Sequence, residues 1–84
     1  MIKEFRKKPV VISAIQWTGD NSYELEEFTE GEFELDVFGT AEVWDELHDT
    51  WVMVKDGQWV IKGVKGEFYP IDEEVLAETY EEIQ

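Results

Sequence analysis

Few side chains in this sequence are of the types that nucleophilic catalysis requires, and carboxylate pairs are too plentiful for any single pair to indicate acid–base catalysis. Covalent catalysis needs a serine, threonine or cysteine beside a base that is itself oriented. The sequence has no cysteine, one histidine (His48) in a predicted turn, and two serines, Ser13 in a predicted strand and Ser22 at a predicted helix start. No serine motif surrounds either hydroxyl. We therefore predict that the protein is not an enzyme.

Two short segments resemble ligand sites, and neither has the required geometry. Asp45, Glu46, His48 and Asp49 offer carboxylates and an imidazole, which suit hard or borderline cations. Strand alternation separates Asp45 from Glu46 and His48, so we interpret this cluster as a solvated turn. Residues 63–66 place two glycines beside a lysine but lack the spacing and the following helix of a phosphate loop. The prediction is a bend, with no metal and no cofactor.

Aromatic and basic residues are the better candidates for binding. All four tryptophans lie on predicted strands, and in residues 40–47 the alternation puts Trp44 on the acidic side of its strand. Tryptophans that share an outer face with lysines would form an aromatic and cationic patch, which is typical of binding hot spots. The alternative is that they build the core. The candidate ligand- or partner-binding residues are Trp17, Trp44, Trp59, Lys62, Lys65 and Tyr69.

Charge is distributed very unevenly along the chain. The formal net charge is −14, and the segment from Asp20 to Asp49 contains twelve acidic residues and no Lys or Arg. Such a field repels nucleic acid and acidic membranes and attracts basic partners. Added acidic residues also raise solubility, so a purely solubilising role is the alternative. We predict no direct nucleic-acid binding and no membrane binding.

Length and composition indicate a single domain over residues 1–84. The 84 residues are enough for one domain, and 43% of them are hydrophobic, although a chain this short has a thin core. The absence of cysteine fits a reducing interior. The basic start is not followed by the apolar stretch of a signal peptide, and no apolar run is long enough to span a membrane. The expectation is a cytoplasmic protein.

Six strands are predicted from alternating or continuous apolar runs. The first is apolar on both faces, which favours a central position in the sheet. In the second, alternation places Phe33, Leu35 and Val37 inward. Asp56-Gly57 predicts a type I′ turn that joins the fourth and fifth strands in a hairpin, and Pro70 favours an edge position for the last strand. The predicted strands are 9–18, 32–38, 40–47, 50–55, 58–62 and 66–70.

A short helix is predicted after the first strand, at residues 21–29. Asn21 and Glu24 have the spacing of a capping box, and Leu25 and Phe28 lie on one side of the helix. Gly31 supplies a left-handed stop.

A second helix is predicted at residues 73–82, with Asp72 as its cap and Leu76, Tyr80 and Ile83 as its inward stripe. The predicted order is therefore β-α-β-β-β-β-β-α. This order indicates an α+β domain with a curved, mostly antiparallel sheet of about five to six strands and two short helices.

Four segments in the same order resemble a family of small proteins encoded by phages and prophages. They are 8–12, 14–19, 61–70 and 78–81. The chain departs from the family at residues 56–58, where the family often has Pro-Gly-Asp, and at residues 71–73, where a Cys-x-Pro commonly follows. The resemblance implies a phage genome and a bacterial cytoplasm as context, and it supplies no catalytic residues.

Three functional hypotheses follow. The first is a non-enzymatic binding protein that acts on a host macromolecule, such as a host protein with a basic surface, as an inhibitor or a nucleic-acid mimic. The second is a protein that binds a small, nucleotide-like ligand, in an oligomer or alone, in a pocket formed by the aromatic and lysine residues. The third is a virion or assembly component. The sequence leaves a homo-oligomer open.

Overall fold

A computed structural model describes residues 1–6 and 9–83 of the chain. It contains two helices and six strands in the predicted order, which confirms the α+β fold. The elements are β1 (Ser13–Gln16), α1 (Ser22–Phe28), β2 (Phe33–Leu35), β3 (Ala41–Asp45), β4 (Thr50–Met53), β5 (Trp59–Lys62), β6 (Phe68–Ile71) and α2 (Glu73–Thr79). Every element is shorter than predicted by at least one residue.

The six strands form two antiparallel sheets of three strands, where the sequence had indicated one sheet. The first sheet has the order β1-β5-β6 and the second has the order β2-β3-β4. In the first sheet Ile15 lies opposite Val60, which lies opposite Pro70. In the second sheet Phe33 lies opposite Val43, which lies opposite Val52.

The core lies between the two sheets and is closed by α1. Trp17 from the segment after β1 packs on Phe33 of β2, with ring centroids 5.2 Å apart. Phe28 of α1 meets Phe68 of β6 edge to face at 5.8 Å. Leu25, in the middle of α1, is fully buried among these rings. Aromatic contacts of this kind add to the free energy gained from burial.

Helix α1 confirms the inward side predicted for it, but its start differs. Asn21 does not cap the helix with its side chain. Its Oδ1 instead accepts hydrogen bonds from the backbone N and the Oγ1 of Thr18, and its Nδ2 donates to the carbonyl of Gln16. The Asn21 side chain therefore fastens the start of α1 to the end of β1. At the other end, Glu30 and Gly31 both have positive φ, as expected of a left-handed stop.

The prediction that β1 is central is wrong, because β1 is an edge strand of the first sheet. Its two apolar faces have another cause. Ile15 packs against the core between the sheets, whereas Ala14 points to the opposite side, towards α2. The second apolar face of β1 therefore lines the cavity between the first sheet and α2, and it does not require a strand on each side of β1. Strand β6 is the other edge, as Pro70 predicted.

The inward pattern predicted for residues 32–38 holds only at its first position. Phe33 is buried, whereas Leu35 is 46% exposed and Val37 is 93% exposed. The strand stops at Leu35 because the Asp36 carboxylate accepts hydrogen bonds from the backbone N–H groups of Phe38 and Thr40. This side-chain turn competes with continued strand pairing.

The type I′ hairpin predicted at Asp56-Gly57 is also wrong. Gly57 has φ +91°, but Asp56 has no positive φ, and a type I′ turn needs both. The turn is closed by the backbone N of Gln58, which donates to the carbonyl of Lys55 at 3.0 Å. It carries the chain from β4 in one sheet to β5 in the other, so the flanking strands are not paired with each other.

Helix α2 ends earlier than predicted and buries none of its residues. Asp72 makes no side-chain cap, and its Oδ1 accepts a hydrogen bond from Gln58 Nε2 at 2.9 Å. Leu76 and Tyr80 are half-buried, as a stripe facing the first sheet would be. Ile83 lies beyond the helix and is 73% exposed, so it does not belong to that stripe.

Candidate functional site

The outer face of the β2-β3-β4 sheet combines tryptophans with carboxylates. Because Ala41 and Val43 of β3 are buried in the core, their neighbours Glu42 and Trp44 point outward. The register extends this face across the sheet, with Glu34 and Met53 flanking Glu42 and with Trp51 opposite Trp44. We call this surface the tryptophan face; its residues are Glu34, Glu42, Trp44, Trp51 and Met53.

Trp44 and Trp51 form an edge-to-face pair at the centre of the tryptophan face. Their ring centroids are 5.5 Å apart and their planes meet at 70°. Each ring is half-buried, so part of each indole surface stays in contact with solvent. Such a pair is rigid, and the exposed faces of indole rings attract cations through the ring quadrupole.

Two carboxylates lie directly opposite each other beside this aromatic pair. Glu34 of β2 is the cross-strand partner of Glu42 of β3. Like charges at directly opposite positions destabilise a sheet. Within residues 1–6 and 9–83, no Lys or Arg forms an ion pair with any acid within 4.0 Å. The negative charge of this face is therefore not neutralised by the described part of the chain itself.

The tip of the β3–β4 hairpin is held by Asp45. Its Oδ1 accepts hydrogen bonds from the backbone N–H groups of Leu47 and His48, and its Oδ2 lies 2.7 Å from His48 Nδ1. Asp49 closes the turn with φ +53°. The hydrogen bond with His48 is the main reason why the pKa of the Asp45 carboxyl lies below its usual 3.8. The cluster thus stabilises a turn, and no group of three metal-binding side chains occurs among the described residues.

The Asp45–His48 contact gives a testable pH effect. Replacing His48 with alanine is expected to raise the pKa of the Asp45 carboxyl towards 3.8, because the side-chain hydrogen bond that favours the ionised carboxylate is lost. The pKa of Asp45 is lowered only in the folded protein. The contribution of the ionised carboxylate to folding stability is therefore present above pH 3.8, and it is lost as the pH falls through the pKa of the folded state. Carboxyl-detected NMR titration measures this directly. Leu47→Ala keeps the backbone donor and serves as the control; equal titration curves in wild type and His48→Ala would contradict the assignment.

The six residues predicted to bind a ligand or partner do not form one patch. Trp17 is buried in the core, and Trp44 lies on the tryptophan face of the other sheet. The remaining four belong to the first sheet or to its β5–β6 loop. Trp59 and Tyr69 point to the α2 side, Lys62 points to the opposite side by strand alternation, and Lys65 is exposed in the loop.

A cavity of about 850 Å³ lies between the first sheet and α2. We call it the α2 groove; its lining includes Ile12, Ala14, Trp59, Leu76, Ala77 and Tyr80. The indole N–H of Trp59 is buried and has no hydrogen-bond acceptor among the described residues. The pKa of Tyr69 is raised, mainly by partial burial and then by the neighbouring Tyr80, which shares a hydrogen bond with Tyr69.

The α2 groove differs from the pocket that a nucleotide-like ligand requires. Of the residues assigned to that pocket, only Trp59 lines the groove. The charged residues at its rim are Glu81 and Glu82 rather than lysines, and carboxylates repel phosphate groups. The groove therefore suits an apolar ligand with positive charge.

Sequence reasoning identified Trp44 but missed the residues around it. Trp51 is on the same face. Alternation along residues 50–55 would have placed Trp51 on the outer face of its strand, since Val54 points inward to the core. The pairing of Glu34 with Glu42 depends on the register between β2 and β3, for which the sequence contains no direct signal.

No model of a known protein family, no curated protein and no solved structure matches this chain. Neither described helix has the length and apolar character needed to cross a membrane. The two serines and the histidine belong to different parts of the fold, since Ser13 is in β1, Ser22 begins α1 and His48 is in the β3–β4 turn. The tryptophan face combines an exposed aromatic pair with opposed carboxylates, and it is the candidate binding surface.

Proposed function

We propose that this protein is a non-enzymatic binding protein whose tryptophan face recognises a cationic surface of another protein. The observation that carries the proposal is the cross-strand Glu34–Glu42 pair beside the Trp44–Trp51 pair. A sheet gains nothing in stability from opposed carboxylates, so their presence is better explained by a partner that supplies the missing positive charge.

The chemistry of the face suits arginine and lysine side chains. A guanidinium can stack on the exposed part of an indole ring while its N–H groups donate to a nearby carboxylate. The tryptophans supply the large, rigid apolar area that dominates hot spots. The net charge of −14 adds long-range attraction to a basic partner.

The resemblance to phage and prophage proteins suggests that the partner is a host protein in the bacterial cytoplasm. A nucleic-acid-binding protein of the host presents the basic surface required, and the acidic face would then occupy the site meant for nucleic acid. Direct binding of nucleic acid is disfavoured because phosphate and carboxylate repel each other. The alternative hypothesis of a virion component has its own test. It predicts that mass spectrometry of purified phage particles detects many copies of this protein.

The proposal is tested by comparing the proteins that wild type and variants of the tryptophan face capture from a bacterial lysate. Immobilised wild-type protein is expected to retain a basic protein at low salt and to retain less of it at moderate salt, because exposed charge pairs are screened. The double variant Glu34→Gln, Glu42→Gln is expected to lose that protein. The variant should fold well, since it removes a like-charge contact.

The matched control is Glu73→Gln, Glu74→Gln, which removes two charges from α2, outside the tryptophan face. It should retain the captured protein. Recovery of no protein at either salt concentration, or equal loss in the control and in the test variant, would contradict the proposal.

A further inference from the structure

The α2 groove is an apolar hollow that the described chain does not fill. Its volume of about 850 Å³ lies within the usual range for ligand sites. Helix α2, which forms one wall, buries no residue, and Val11 and Ile83 at the mouth of the groove are 77% and 73% exposed. An apolar surface of this kind on a small domain marks a contact site.

One wall of the groove includes the outer edge of β1, which has no neighbouring strand on that side among the described residues. The backbone N of Trp17 donates to the carbonyl of Gln58 across the sheet, so the odd-numbered residues of this strand direct their backbone groups towards β5. The even-numbered residues direct theirs outward. The outward carbonyl of Gln16 accepts a hydrogen bond from Asn21, but Ala14 faces no neighbouring strand among the described residues. Such an edge can accept an added strand.

Residues 1–6, which we call the arm, have the complementary character. Met1, Ile2 and Phe5 are almost fully exposed. The arm also contains Lys3 and Arg6 and is followed in the sequence by two further lysines. Six extended residues span about 20 Å, which exceeds the length of about 13 Å of the four-residue strand β1. That rim carries Glu81 and Glu82, whose charge is opposite to that of the arm.

We propose that the arm of one copy binds in the α2 groove of a second copy. The arm adds as a strand along the outward edge of β1 at Ala14, with Phe5 in the apolar cavity and its basic residues beside Glu81 and Glu82. Reciprocal exchange of two arms gives a two-fold symmetric dimer. This interface lies on the α2 side of the first sheet, so the proposal does not depend on the tryptophan face.

Sedimentation velocity of the full chain tests the exchange. Wild-type protein is expected to form a dimer as its concentration rises from micromolar towards millimolar. Phe5→Asp is expected to raise the dimer dissociation constant at least about tenfold, because it removes the apolar anchor and adds a charge of the wrong sign. Ala77→Glu, at an exposed groove position on α2, is expected to act in the same direction. Val37→Asp, at an exposed position outside the groove, should leave the dimer unchanged.

A mixture of the two variants distinguishes arm exchange from other dimers. Phe5→Asp keeps an intact groove and Ala77→Glu keeps an intact arm, so mixing them is expected to restore a dimer with one arm in one groove. A peptide of residues 1–8 should dissociate the wild-type dimer, whereas the same peptide with Phe5→Asp should not. A chain that stays monomeric throughout, a dimer insensitive to Phe5→Asp, or a mixture that stays monomeric would overturn the proposal.

Discussion

Replacing Leu25 with alanine is expected to lower the free energy of unfolding by about 2–5 kcal/mol. Leu25 is fully buried in α1 and packs in the cluster that joins the two sheets. The substitution removes buried apolar surface and leaves a cavity that rigid aromatic neighbours such as Trp17 and Phe33 cannot collapse to fill. A domain of this size has a thin core and a total stability of only about 5–15 kcal/mol. The loss is therefore a large fraction of the whole.

Leu47→Ala provides the matched control for this prediction. It is the same chemical change at a position that is 78% exposed in the β3–β4 turn, and it should change the stability by no more than about 0.5 kcal/mol. Urea denaturation followed by tryptophan fluorescence measures both variants. Similar midpoints for the two variants would show that Leu25 does not occupy the core in the way described.

Replacing Trp44 with alanine is expected to weaken binding of an arginine-rich peptide by about 30-fold or more. The estimate corresponds to about 2 kcal/mol, the lower bound for hot-spot tryptophans. Trp44 supplies one half of the exposed aromatic pair, and its removal also frees the partner ring of Trp51 to move. Both effects reduce the rigid surface on which a guanidinium would stack.

Fluorescence anisotropy with a labelled arginine-rich peptide gives the dissociation constants. Tyr23→Ala removes an aromatic ring that is 87% exposed on α1, outside the tryptophan face, and should bind the peptide as wild type does. Circular dichroism of each variant checks that the sheet is intact. If Trp44→Ala remains folded and binds with unchanged affinity, the tryptophan face is not the binding surface.

The sequence predicted the order of elements because that order depends on local signals. Alternation defined β2 to β6 within a few residues, and the positive φ of Gly31 explains why α1 ends within one residue of its predicted end. The inward side of α1 followed from the spacing of Leu25 and Phe28 alone. These features need no knowledge of which strands pair.

The division into two sheets could not be predicted in the same way. Asp56-Gly57 has the residue types of a hairpin turn, but strand pairing is decided by contacts between distant segments, and β5 pairs with β1 and β6 instead of β4. The same non-local pairing explains the misplacement of β1, whose second apolar face lines the α2 groove although the strand lies at the edge of its sheet. Local propensity is routinely overridden by tertiary contacts of this kind.

The candidate site was predictable only in part. Alternation placed Trp44 on the acidic side of its strand, and the structure agrees. It could not show that Trp17 belongs to the core, because both faces of its strand are apolar. Alternation also could not predict that Trp51, Glu34 and Glu42 lie around Trp44. That arrangement depends on the registers between β2, β3 and β4.

The indole N–H signals of the four tryptophans offer the most direct measurement of the central claim. In a titration of isotope-labelled protein with an arginine-rich peptide, followed by two-dimensional NMR, the signals of Trp44 and Trp51 are expected to shift. Those of Trp17, buried in the core, and Trp59, in the wall of the α2 groove, should stay in place. Shifts confined to Trp59, or no shift of any indole signal at saturating peptide, would contradict the assignment of binding to the tryptophan face.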